Sequence, residues 1–171
     1  MINSLLRYIF AFILIILVQV LILDNIQFSR YAVPFLYILF LLILPFETPG
    51  WLLLILAFFL GLTVDLFEHT YGIHTAATVF AAWLRPGVLK LFSPRDGYMS
   101  NTRPGISDYG VGWFLKYSAT IIFVHHFFLF YFEVFSFHHF FSTLWRVIVS
   151  SAFTLLLVVL SQFFVHKPRT E

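Results

Sequence analysis

The chain has 171 residues, of which 61% are hydrophobic, 21% aromatic and 11% charged, with a net charge of +2. A soluble domain carries roughly 25% charged residues, so this composition suits a chain solvated by lipid and excludes a soluble enzyme. A spanning helix takes about 20 apolar residues, so six would use roughly 120 and leave about 50, too few for an independent extramembrane domain. One integral membrane domain over residues 1–171 is expected. Cysteine is absent, which excludes disulfides and thiolate metal sites, and no basic patch is dense enough for nucleic acid.

Apolar runs fall at 5–23, 32–45, 51–67, 72–92, 112–132 and 143–165. Stretches such as Phe12 to Val18 lack the period-two alternation of a barrel strand, and a lipid-facing backbone must bond within its own segment. The expected fold is all-α, a polytopic membrane bundle of about six transmembrane helices. The first run reads as a retained anchor: it outlasts a signal-peptide core and ends in Asp24-Asn25-Ile26-Gln27, with no small-x-small cleavage site. The second, Tyr31 to Pro45, is short for a crossing, and Pro34 suits a first helical turn. The fourth contains Arg85-Pro86-Gly87. There the helix either kinks, or ends and leaves Val88 to Phe92 along the interface. Between the fourth and fifth runs, 93–110 holds Pro94, Gly97, Pro104, Gly105 and Gly110 and reads as an exposed loop.

Lys and Arg set the expected orientation. With six spans, Arg7, Arg85, Lys90, Arg95, Arg103, Lys167 and Arg169 fall on the side of the N-terminus, and Lys116 snorkels towards it. The other side holds Arg30 and Arg146. Both termini are therefore expected in the cytoplasm.

Asp65, inside Phe59 to Phe67, is the sharpest polar feature. A carboxylate in an apolar span is expensive, and near a helix C-terminus the macrodipole also disfavours it. It therefore calls for a partner, with His69, His74 and Arg146 in the same layer, or it pins the tight turn between the third and fourth helices with Gly72. A proton- or ion-coupling role, or ordering of a partner surface, stands beside that reading. The doublets His125-His126 and His138-His139 do not make chelating pairs, because neighbours on a helix point about 100° apart and metal pairs use i,i+4 spacing. Phe127 to Phe141 reads FFLFYFEVFSFHHFF, either an aromatic interface belt or a surface on which another membrane chain packs. Ala76-Ala77 and Ala81-Ala82, with Gly61, offer small-residue spacing for close helix approach. No nucleophile–base pair, phosphate loop or carboxylate dyad is evident, so no catalytic residue, metal or cofactor is assigned.

The string Gly61-Leu62-Thr63-Val64-Asp65-Leu66-Phe67-Glu68-His69-Thr70-Tyr71-Gly72-Ile73-His74 resembles the characteristic segment of the rod-shape-determining MreD family. In that family an apolar helix with G-L-x-x-D is followed by a short turn and a G-x-H opening. Gly61, Asp65, Gly72 and His74 fall on those positions, and length and hydropathy layout are similar. The resemblance implies a non-enzymatic bacterial inner-membrane scaffold of cell-wall elongation, partnered by the single-span MreC. MreB, RodA and a class B penicillin-binding protein are implied in the larger assembly. It also implies a fold like the S components of energy-coupling-factor transporters.

On this reading Gly61, Asp65, Gly72 and His74 anchor one surface, and Phe127, Phe128, Phe130, Phe132 and Phe135 are candidates for the partner face. The rival is a small-molecule-binding S component using Asp65, Glu68, His74 and Arg146. Helix one, with Ala11 as its single alanine, lacks the alanine-rich face such components show their coupling subunit.

Overall fold

The computed structural model describes residues 2–26, 32–99, 102–135 and 140–165. Arg30, Tyr31, His138, His139, Lys167 and Arg169, invoked above, lie outside these. Helix α1 (Ile2–Val18) continues into a π-helical turn, Gln19–Leu23. A 3-10 turn (Leu36–Ile38) leads into the short α2 (Leu39–Ile43). Then follow α3 (Gly50–Glu68), α4 (Ile73–Leu91), α5 (Ile106–Val134) and α6 (Phe140–Val165). Among the described residues there is no strand.

Four stretches are long and apolar enough to cross a membrane: Leu6–Leu23, Gly50–Glu68, Ile106–Val134 and Phe140–Phe163. The chain is a helical membrane protein. Helix α4 matches α3 at 19 residues, but carries His74, Arg85 and Lys90 and is less apolar.

The helices pack in sequence order, α3 on α4, α4 on α5 and α5 on α6. In lipid, apolar side chains gain little by leaving the solvent, so close backbone approach and polar contacts hold helices together. The α3–α4 seam follows that rule. Ala77, Ala81 and Ala82 are fully buried, and a Cβ on Gly61 would stand 2.4 Å from the Thr75 Cα. Gly61, Ala77, Ala81 and Ala82 thus pack inside the bundle, whereas Ala76 is exposed. Large apolar side chains such as Phe10, Trp51, Phe59, Leu66, Trp145 and Phe163 point outward.

The second apolar run departs from the expected helix. Its helical part spans only Leu36 to Ile43, yet Tyr37, Ile38, Leu41 and Leu42 are fully buried. Pro34 stands in non-helical backbone before this stretch and opens no helical turn.

Helix α4 does not end at Arg85. It continues through Pro86 to Leu91, with Pro86 on an exposed face. The expected 93–110 loop is shorter, because α5 begins at Ile106. Gly110, at φ 78°, separates that first turn from the long helix beyond it.

Candidate functional site

Residues 33–45 run through the middle of the bundle, and the non-helical ends of the segment leave backbone groups without intrahelical partners. At this depth each unbonded group costs several kcal/mol, so irregular backbone persists only where protein satisfies it. Four other elements do so. Gln19, placed by the π-turn, accepts the amides of Leu36 at 2.7 Å and Tyr37 at 3.4 Å through Oε1. Its Nε2 donates to the Pro34 carbonyl and to Asp24. From α6, Ser150 accepts the Val33 amide at 3.1 Å and Thr154 that of Phe35 at 3.0 Å. At the other end the Arg85 guanidinium donates to the carbonyls of Leu44 and Pro45, and its Nε to the Tyr117 hydroxyl at 2.8 Å. Tyr117 of α5 donates in turn to the Leu42 carbonyl.

Arg85 is 1% exposed. Its charge is therefore held inside the bundle rather than presented at the surface. It is spent on the C-terminal carbonyls of α2, where a cation also suits the helix dipole.

A second polar chain starts from Tyr37. Its hydroxyl lies 2.9 Å from His74 Nδ1 and 2.8 Å from His125 Nε2, and His74 Nε2 lies 2.9 Å from Glu68 Oε2. His126 Nδ1 lies 2.9 Å from the Ile122 carbonyl and its Nε2 3.1 Å from the Thr154 hydroxyl.

These contacts assign the tautomers. A carbonyl only accepts, so His126 carries its proton on Nδ1, and Thr154 donates to Nε2. The His125 Nδ1, 3.5 Å from that protonated nitrogen, is then the unprotonated one, and its Nε2–H donates to Tyr37. Tyr37 donates to His74 Nδ1, and His74 Nε2–H donates to the Glu68 carboxylate. In this arrangement every proton in the row points towards Glu68.

Asp65 sits at 3% exposure beside the start of α4. Its carboxylate accepts the backbone amides of His74 (3.1 Å) and Thr75 (2.8 Å) and the hydroxyls of Thr70 and Thr75. The dipole penalty at the end of α3 is offset because the same carboxylate caps the N-terminus of α4. Its partners are thus hydroxyls and amides rather than His69 or Arg146. Gly72, at φ 86°, supplies the left-handed residue the turn requires, and His69 (φ 56°) caps α3 in the same conformation. Gly61, Asp65, Gly72 and His74 are therefore brought together as one clasp.

The phenylalanines divide. Phe130 is fully buried, with the Arg146 guanidinium 4.2 Å from its ring centroid and Arg146 bound to Glu133 at 3.0 Å. Phe128 stacks on Phe80 and Phe132. Phe127, Phe132 and Phe135 are exposed, and Phe135 is 87% exposed at φ 42°.

Asp24, beyond the end of the first spanning stretch, lies near Glu68. Burial and the Glu68 carboxylate push its carboxyl up to about 6. Among the described residues no cluster of three His, Asp or Glu side chains could hold a metal ion. Chemically, the arrangement can hold a row of protons in one direction between a half-exposed carboxylate pair and the bundle centre. The network residues that sequence reasoning missed are Gln19, Tyr37, Tyr117, Ser150 and Thr154, and Arg85 was read only as a charge. The available signal was a polar side chain inside an apolar run.

Comparison with protein-family models, curated proteins and solved structures finds no match to this chain.

Proposed function

We propose that this chain is a non-enzymatic membrane scaffold of the cell-wall elongation machinery, the role implied by its resemblance to the MreD family. In this reading it is a multi-pass protein of the bacterial inner membrane with six crossings and cytoplasmic termini. The interrupted second segment and α4 complete the count. The α3–α4 clasp and the C-terminal end of α5 then face away from the cytoplasm. There the scaffold binds the single-span MreC-like partner and restricts its orientation towards the wall synthases. RodA, MreB and a class B penicillin-binding protein belong to the wider assembly.

The observation that carries this reading is the state of Phe135. A bulky residue at positive φ is strained, and Phe135 holds that conformation as the left-handed cap of α5, its amide bonded to the Tyr131 carbonyl at 3.0 Å. The residue is 87% exposed, and Phe132 and Phe141, near the adjoining ends of α5 and α6, are exposed as well. Aromatic anchors of that kind dominate binding energy where helices and domains meet.

A second reading, a small-molecule-binding S component, draws on the interrupted segment at mid-depth, a feature of transporter binding sites. It is the weaker one, because Tyr37, His74 and His125 bond one another instead of presenting free groups.

The test is co-purification in mild detergent of the tagged full-length protein with its bound proteins identified by mass spectrometry. Wild type should retain an MreC-like protein, and Phe135→Asn, which relieves the strain and removes the ring, should lose most of it at equal expression. Recovery of paired ATPases with a coupling subunit would overturn the scaffold reading.

A further inference from the structure

Because the short α2 ends at Ile43 and the chain turns at once, the space between the first half of α3 and the first half of α1 is not filled by protein. A groove of about 520 Å³ remains, lined by Ile9, Phe12, Phe40, Leu44, Leu52 and Leu56. Its size falls within the range of ligand pockets, roughly 300–1,000 Å³. The walls are almost wholly apolar, but the mouth is not.

Tyr8 lines the groove, and among the described residues its buried hydroxyl has no hydrogen-bond partner. An orphaned donor of this kind costs about 1–3 kcal/mol unless an acceptor arrives. Over the Tyr8 ring, 5.9 Å from its centroid, stands the guanidinium of Arg103. Among the described residues no carboxylate pairs with that guanidinium. Asp108 instead accepts the backbone amide of Arg103, at 2.9 Å. Glu47 lines the same mouth and is exposed, and Thr48 spends its hydroxyl on the Pro45 carbonyl.

We propose that this groove is a binding site for a single phospholipid. One acyl chain lies along Phe12 and Leu56, and the phosphate is held by Arg103 above the Tyr8 ring. A guanidinium with no carboxylate beside it is a strong phosphate donor, and it stands over the ring of Tyr8, a residue of the cavity wall, as a head group above an apolar tail requires. A partner helix fits less well. At about 10 Å across it fills roughly 400 Å³ per turn, so the groove would admit little more than one turn.

The experiment is native mass spectrometry of the full-length protein, extracted in mild detergent from vesicles of phosphatidylethanolamine and phosphatidylglycerol. Wild type should keep one phospholipid per chain through detergent exchange. Arg103→Ala, a loop substitution that spares the core, should lower the retained fraction about tenfold. Leu56→Trp, which fills the groove, should abolish retention, and Lys90→Ala should not alter it. Equal retention by wild type, Arg103→Ala and Leu56→Trp would mean annular lipid only and overturn the proposal. So would a wild-type protein that emerges free of lipid while still folded by thermal unfolding.

Discussion

The carboxylate of Asp65, in the last turn of α3, accepts the backbone amide of Thr75 at 2.8 Å, in the first turn of α4. One acidic side chain thus closes its own helix and opens the next. Asp65→Ala should cost about 3 kcal/mol, since it strands two amides and two hydroxyls, and Asp65→Asn about half as much. Gly61→Ala should also destabilise, by about 1–3 kcal/mol, because its Cβ meets the Thr75 backbone. Thermal unfolding of the detergent-solubilised protein measures both. Unchanged melting in Asp65→Ala would contradict the clasp.

Tyr37 joins His74 to His125, so Tyr37→Phe removes one hydroxyl and leaves two imidazole nitrogens without partners. The expected loss is about 2 kcal/mol. In a double-mutant cycle with His125→Phe the two losses should be strongly non-additive, since they break one bond from opposite sides. Additive losses would show that the row is not coupled.

Arg85 holds the end of α2 through a planar fork that bonds two carbonyls and a hydroxyl. Lysine keeps the charge but not that geometry. Arg85→Lys should therefore lower the unfolding temperature nearly as much as Arg85→Ala, and a full rescue by lysine would refute the argument.

Asp24 predicts a pH dependence. Its carboxyl is raised from 3.8 to about 6 in the fold, by burial first and then by Glu68. The folded state then binds more protons than the unfolded state between about pH 4 and pH 6. Stability is fully present below that window and falls as pH rises through it. Discounted for a half-exposed group, the contribution is about 1 kcal/mol, or about 2–4 °C in melting temperature. Wild type should melt higher at pH 5 than at pH 7, and Asp24→Asn should lose that difference. A wild-type profile that rises with pH would contradict the sign.

The helical class was legible because uninterrupted apolar runs leave one backbone solution in lipid. The α3–α4 turn was legible too: Gly61, Asp65 and Gly72 each break the apolar pattern where the geometry demands it. The interruption of the second run was not, since Leu36 to Leu44 is as apolar as any spanning helix. What keeps it from forming a full helix is a set of acceptors and donors on Gln19, Arg85, Ser150 and Thr154, remote in sequence. The bonding role of Arg85 was hidden for the same reason: nothing near Pro86 in the sequence says that the Leu44 and Pro45 carbonyls lie beside it.

The interrupted segment also bears on how the protein is made. The amides of Val33 and Phe35 find their acceptors 117 and 119 residues later in the chain. At roughly 5–20 residues per second of synthesis, those acceptors arrive about 6 to 24 s after the amides. If the second segment is one of the six proposed crossings, it lacks these acceptors until then, and its final insertion is expected to wait for the last helix. Truncation before α6 should leave this stretch outside the bilayer core, open to proteases and to the insertion machinery.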